Sequence, residues 1–190
     1  IPYPDQAHEP GRRMDAVEKE LIRRREQGEK VDTQEYVRQL ATVPLCFQPG
    51  ERWMYGYSAD ILGGVIEAVS GRRFGQFLKE ELFDPLGMTD TGFFVPEDKL
   101  GRFAQYYDWT EQDGLKVHVG SHLGEYYGED VAFESGGAGL VSTLDDYRRF
   151  ASMLVHKGEH EGRRILGRKT VEFMAQNRLS SGQRETLNWD

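Results

Sequence analysis

The sequence predicts a mainly α-helical lobe with a small β or irregular element. Three observations carry that expectation. Apolar residues recur at helical spacing in several stretches. Cap-type side chains and glycines bracket those stretches. The segment from Gly92 to Phe133 lacks such spacing and is rich in Tyr, Gly, Asp and His.

The elements follow in order. Residues 1 to 12 are proline-rich and read as loop, and a helix is expected from Met14 to Gln27, where Gly28 stops it. Within it, "LIRRREQ" reads as a solvated basic face. Asp32 and Glu35 have the spacing of a capping box before "EYVRQLA". "FQPGERW" makes a turn. In "SADILGGVIEAVSG", Ile61, Leu62, Val65, Ile66 and Val69 mark a helix with Ser58 as its N-cap and Gly71 as its C-cap. Gly63 and Gly64 weaken that helix by ~1 kcal/mol each relative to alanine, so another element should pack closely against them. "FGQFLKEELFDPLGM" is an amphipathic helix ended by Pro85 and Gly87. A hairpin is expected around "DGLKVHVG". "STLDDYRRFASMLV" begins with a Thr143–Asp146 capping box and sets Tyr147, Phe150, Ala151 and Leu154 on one face, and "GRKTVEFMAQN" is the last helix.

Composition bounds the function. The net charge is -8, from 32 acidic and 24 basic residues, which argues against a nucleic-acid surface. No apolar run reaches the ~18 to 20 residues of a membrane span. A single cysteine, Cys46, forbids an internal disulfide; it reads as a buried small hydrophobe. A cytosolic home is compatible with this, and so is a secreted one. The abrupt ends, "IPYP" and "NWD", read as cut from a longer chain.

The candidate chemistry narrows quickly, and no cofactor or metal is expected. "HKGEH", His156 to His160, spells H-x-x-E-H, but Gly158 breaks the helix that pattern requires, so it reads as an exposed turn. His118 and His122 fall in a strand-like stretch whose geometry keeps them apart. "ESGGAGLVST" is neither a P-loop nor a dinucleotide fingerprint; it is a tight loop whose backbone must approach something closely. There is no G-x-S-x-G, and no serine has a lysine three residues on. "HVG" at His118 and "KTV" at Lys169 are imperfect echoes of late-strand motifs. That leaves Tyr55. A tyrosine acts as a base only if its phenolate is favoured over its ordinary pKa of ~10, and a lysine partner would have to come from elsewhere. From residue chemistry alone, packing is at least as good a role for it as catalysis.

"FQPGERWMYGYSADILGGVIEAVSG", then "FGQFLKEELFDPLGMTDTGFFVP", "SGGAGLVSTLDDYRRFASMLV" and "GRRILGRKTVEFM" resemble, in order, the serine β-lactamase-related family of class C-type β-lactamases, DD-peptidases and esterases. The resemblance runs from Asp32 to Leu179, and "W-x-Y-x-x-S-x-D-x-L-G" is similar to the esterase-like branch. It implies the helical lobe of a two-lobed β-lactamase/transpeptidase-like fold, with residues 1–190 lying between two halves of an α/β lobe. It implies acyl transfer to the serine of an S-x-x-K motif upstream, with a K-T-G, H-x-G or W-G-G strand downstream. The tyrosine of Y-x-N carries over as Tyr55. Tyr57 stands where the Asn would be, which argues against β-lactam amides. Ser135, Gly136, Gly137 and Ala138 match a loop edging the acyl pocket, and with Tyr57 they are the expected substrate contacts. The implied substrate is a small ester or amide, and the implied partner is the α/β lobe of the same protein. Alone, the chain should be inactive and should self-associate through the apolar face that lobe would cover. A catalytically degenerate member acting in binding or assembly is the alternative.

Overall fold

The computed structural model describes residues 1–117 and 131–187. Eight α-helices are named among them: α1 (Glu9–Glu26), α2 (Thr33–Leu40), α3 (Ser58–Ser70), α4 (Phe74–Leu78), α5 (Asp84–Leu86), α6 (Leu144–Val155), α7 (Arg168–Met174) and α8 (Ser181–Glu185). A π-helical turn, Lys79–Phe83, joins α4 to α5, and a 3-10 turn covers Glu97–Arg102. Two short antiparallel hairpins complete the list: β1 (Tyr107–Thr110) with β2 (Gly114–Val117), and β3 (Glu159–His160) with β4 (Arg163–Arg164). The mainly α lobe with a small β element is therefore what the chain forms, and the hairpin falls where "DGLKV" placed it.

Several helix ends differ from the sequence expectation, each for a local chemical reason. Helix α1 starts five residues before Met14, at Glu9, because Pro10 suits a first helical turn that has no use for its missing N–H. Its arginines are not all solvated. The half-buried Arg24 donates to Glu29 and, at 2.7 Å, to Glu35. Asp32 caps α2 by accepting from Glu35 N at 2.7 Å, but the Glu35 side chain turns to Arg24, Arg38 and Gln39, so no reciprocal box closes. Thr143 likewise accepts from Asp146 N at 3.3 Å, while the buried Asp146 carboxylate accepts from Asp90 N at 2.7 Å and from Thr91 Oγ1 at 2.9 Å. The capping box of α6 is replaced by a tie to the loop before Gly92. The box that does form, Ser180 with Gln183 on α8, lies in a stretch given no helix from sequence.

Ser58 is not the N-cap of α3. It is the first helical residue, and Tyr57 holds the cap position without a side-chain cap bond. Gly71 ends the helix in the left-handed conformation, as a C-cap glycine does. The packing side of α3 is the larger surprise. Gly63, Gly64 and Asp60 are buried, whereas Leu62, Val65 and Val69 are exposed. A Cβ on Gly64 would come within 2.7 Å of Val37 Cγ2, and one on Gly63 within 3.3 Å of the Phe74 ring. The two glycines let α2 and α4 close on that side, and the aliphatic stripe points outward. Gln34 Nε2 reaches across to Gly64 O at 2.8 Å and to Glu67 at 3.0 Å. Glu67 in turn accepts from Phe74 N at 3.0 Å and Glu134 from Gly75 N at 2.8 Å, so α4 is capped by carboxylates from two other segments.

Two core clusters lie among the described residues. Met14, Leu21, Val31, Tyr36, Leu40, Val43 and Tyr57 bury α1 and α2 against the start of α3. Phe83, Leu86, Met88 and Met153 bury the π turn and α5 against α6, with Phe150 and Leu154 beside them; Tyr147, expected on the same face, is exposed. Cys46 is half-buried rather than buried, and desolvation raises its thiol pKa. Pro85 does not end its helix; it sits in the first turn of α5, and Gly87 at φ 67° terminates the run.

Candidate functional site

The site is built around the turn that enters α3. Pro2 pairs with Gly56 in an antiparallel bridge, and Tyr57 N donates to Ile1 O at 3.4 Å. A Cβ at position 56 would lie 2.1 Å from Ile1 O, so only glycine lets the first residues lie on this turn. The two tyrosines either side of Gly56 have opposite fates. Tyr55 is 63% exposed, its ring 5.3 Å from Tyr3 and 6.4 Å from Trp53. Tyr57 is 7% exposed, edge-on to Tyr3 at 4.6 Å and to Tyr36 at 6.2 Å, and its hydroxyl donates to Glu18 Oε1. Tyr55 is therefore a surface tyrosine and Tyr57 a core one.

Electrostatics follow burial. Desolvation, then the bond to Glu18, pushes the Tyr57 hydroxyl well above its ordinary pKa, and desolvation does the same to Tyr36. Tyr3 is raised by burial and next by its hydrogen bond with Tyr55.

The glycine-rich loop docks on the first turn of α3. Ser135 Oγ donates to Asp60 Oδ1 at 2.5 Å, and Gly137 N donates to the same oxygen at 3.3 Å. Ser135 Oγ also accepts from Gly137 N and Ala138 N, each at 3.2 Å. A Cβ on Gly136 would lie 2.3 Å from Ala59 O, and one on Gly137 3.1 Å from Asp60 Oδ2. The close backbone approach expected of "SGGAG" is thus an approach to α3, and Asp60, only 4% exposed, is its anchor.

A cavity of about 580 Å³ opens between this loop, α1 and the tyrosines. Tyr57, Ser135, Gly137 and Ala138 line it together with Tyr3 and Asp60. Gly136 is absent from its wall, packed on Ala59 instead, and Tyr55 lies outside it, linked through the ring of Tyr3. Sequence reasoning missed Tyr3, Glu18 and Asp60. Only Asp60 left a trace, as an acidic residue in the first turn of an otherwise apolar helix.

The remaining motifs resolve locally. His156 ends α6 and His160 sits in β3, with Gly158 at φ 90° between them, so H-x-x-E-H has no common helix. His160 is mostly buried rather than exposed. No cluster of three or more His, Cys, Asp or Glu side chains suited to a metal occurs among the described residues. His118, His122 and "HVG" lie outside the described residues. No helix among the described residues is long and apolar enough to cross a membrane.

Comparison with known proteins agrees with this architecture. The family model described as Beta-lactamase matches residues 8–188. The uncharacterized protein MT1414 of Mycobacterium tuberculosis (strain CDC 1551 / Oshkosh) is 39% identical over 145 residues, covering 76% of this chain and 35% of that protein. Esterase EstB of Burkholderia gladioli is 34% identical over 131 residues, covering 62% of this chain and 33% of its own. Among solved structures, EstCE1, a hydrolase with promiscuous acyltransferase activity, superposes with a TM-score of 0.65 at 25% identity, over 78% of this chain and 41% of that one. The chain spans about a third of the length of the curated relatives it matches.

Proposed function

This chain belongs to the beta-lactamase family, and we propose that it is the helical lobe of a serine hydrolase acting on small esters, or amides, through an acyl-serine intermediate. In this reading the nucleophilic serine and its lysine lie in the α/β lobe. The serine oxygen attacks the substrate carbonyl carbon, the bond to the leaving alcohol breaks, and the serine proton passes by way of the Tyr55 oxygen to the departing alkoxide. Water then reverses the steps and frees the acid. The family's esterase and acyltransferase relatives support the reaction class.

The observation that carries the role of Tyr55 is its exposure beside a buried twin. At 63% exposed, on a turn locked by Gly56 and Ile1, the Tyr55 side chain lies on the surface, where a second lobe can reach it. Tyr57, buried and bonded to Glu18, does not. Tyr57 therefore acts as a wall of the cavity, and the substrate-facing part of the Ser135–Ala138 loop is its Ser135, Gly137 and Ala138 side. Alone, the chain supplies a proton-transfer group without a nucleophile and is inactive. The test is ester hydrolysis by the whole protein and its Tyr55→Phe variant. A kcat lower by about 10²- to 10⁴-fold, with fold and KM retained, supports proton transfer through Tyr55. A kcat within about threefold of the parent removes it from the mechanism.

A further inference from the structure

Asp60 carries a feature that helix formation does not require. It is a buried carboxylate in the first turn of α3, five residues after Tyr55, and its Oδ1 receives both the Ser135 hydroxyl at 2.5 Å and the Gly137 amide at 3.3 Å. Burying a carboxylate costs stability unless hydrogen bonds replace water, so these bonds are the reason it can remain there. Ser135 Oγ is the hub. It donates to Asp60 and accepts from Gly137 N and Ala138 N, which organises the loop's backbone around one oxygen. The glycines fit the same purpose. Any side chain at position 136 would collide with the α3 backbone, and one at 137 would crowd Asp60 itself.

We infer that Asp60 is a positioning residue: through Ser135 it clamps the Ser135–Gly139 loop to the helix whose entry turn bears Tyr55. The inference rests on the proposed function, because it assigns to this clamp the spacing between the proton-transfer group and the substrate wall. Asp60 is assigned no step in the reaction, although it borders the cavity. It acts by holding Ser135, Gly137 and Ala138 in the cavity wall, and its oxygen is one that asparagine can reproduce. A loop released by even 1 Å misaligns the bound ester, and such misplacement costs up to ~10²-fold in rate.

The test uses the whole protein with variants Asp60→Ala, Asp60→Asn, Ser135→Ala and the Asp60→Ala/Ser135→Ala pair, assayed well below their melting temperatures with folding checked by circular dichroism. Asp60→Ala should lower kcat/KM for an ester substrate about tenfold or more, chiefly through kcat, and Asp60→Asn should restore it to within about threefold. The double variant should be no worse than Asp60→Ala, since one clamp cannot be broken twice. An Asp60→Ala protein with kcat/KM within about twofold of the parent, or an Asp60→Asn protein as impaired as Asp60→Ala, overturns the inference. Tyr55→Phe, measured alongside, separates the two ideas: full activity there defeats the tyrosine role while leaving the clamp result to stand by itself. Amide hydrogen exchange decides if no substrate turns over. Faster exchange at Gly137 and Ala138 in Asp60→Ala supports the clamp, and unchanged exchange overturns it.

Discussion

Gly64 and Val37 meet where a side chain on the glycine has no room. A Cβ at position 64 would lie 2.7 Å from Val37 Cγ2, across the contact between α3 and α2. Two effects oppose each other when Gly64 becomes alanine. Helix propensity gains about 1 kcal/mol. Overpacking against a β-branched neighbour with few alternative rotamers costs about 1–3 kcal/mol. The clash wins, so Gly64→Ala should lower stability by about 1 kcal/mol in urea unfolding. Gly63→Ala meets only the Phe74 ring, at 3.3 Å, and should be the milder change. If both stabilise the protein, the glycine-mediated contact is not what sets the packing of α3.

This contact also shows what the sequence could convey. The helix over "SADILGGVIEAVSG" was legible from its period, and its need for a close neighbour from the paired glycines. Its orientation was not. Hydrophobicity assigns Leu62, Val65 and Val69 to the core, yet all three are exposed because two glycines offer the closer approach. Periodicity reports which residues share a face; it does not report which face another element takes. The same holds at the site. "SGGAG" was legible as a loop in close contact with something. Its partner, Asp60, is 75 residues away from Ser135, and no local rule joins them. Residue chemistry alone did not say which of Tyr55 and Tyr57 is buried. Their division into surface and core depends on Glu18, 39 residues away from Tyr57 in the chain.

The Tyr57–Glu18 bond makes stability pH-dependent at the alkaline end. The folded state holds the Tyr57 proton above its ordinary pKa of 10.0, through burial and the bond to Glu18. Below that value both states are protonated and the contribution is fully present. Above it the unfolded chain releases the proton while the folded chain keeps it, so stability falls as pH rises. Tyr57→Phe removes this dependence. It should cost about 1–2 kcal/mol near neutrality, where the bond is lost. Above pH ~10 the parent's disadvantage grows by up to about 1.4 kcal/mol per pH unit, and the gap narrows. Urea midpoints for both proteins at about pH 8 and about pH 11 check this; a gap that stays constant rules out a buried hydroxyl that donates to Glu18.

Asp146 ties α6 to the Asp90–Thr91 loop through two accepted bonds, at 2.7 and 2.9 Å. Asp146→Ala leaves the half-buried Asp90 N–H without its acceptor and should cost about 1–2 kcal/mol, read as a shift in the urea midpoint at constant slope. Asp146→Asn keeps an oxygen and should lose less. Equal losses would mean that charge, rather than acceptance, is what the loop needs.

The outward stripe of Leu62, Val65 and Val69 on α3 is the surface through which we expect the isolated chain to self-associate. Sedimentation velocity should show concentration-dependent dimers or larger species, and Val65→Glu with Val69→Glu should return the chain to a monomer. A parent chain that remains monomeric across the concentration range contradicts this.

In the proposed function this lobe contributes Tyr55 to an acyl-serine reaction whose nucleophile lies in another lobe. A pre-steady-state assay with a p-nitrophenyl ester tests it most directly, run on the whole protein, its Tyr55→Phe variant and this chain alone. The whole protein should give a stoichiometric burst, Tyr55→Phe a burst slowed by about 10²-fold or more, and the chain alone none. No burst from the whole protein, or an unslowed one in Tyr55→Phe, would contradict the proposed function.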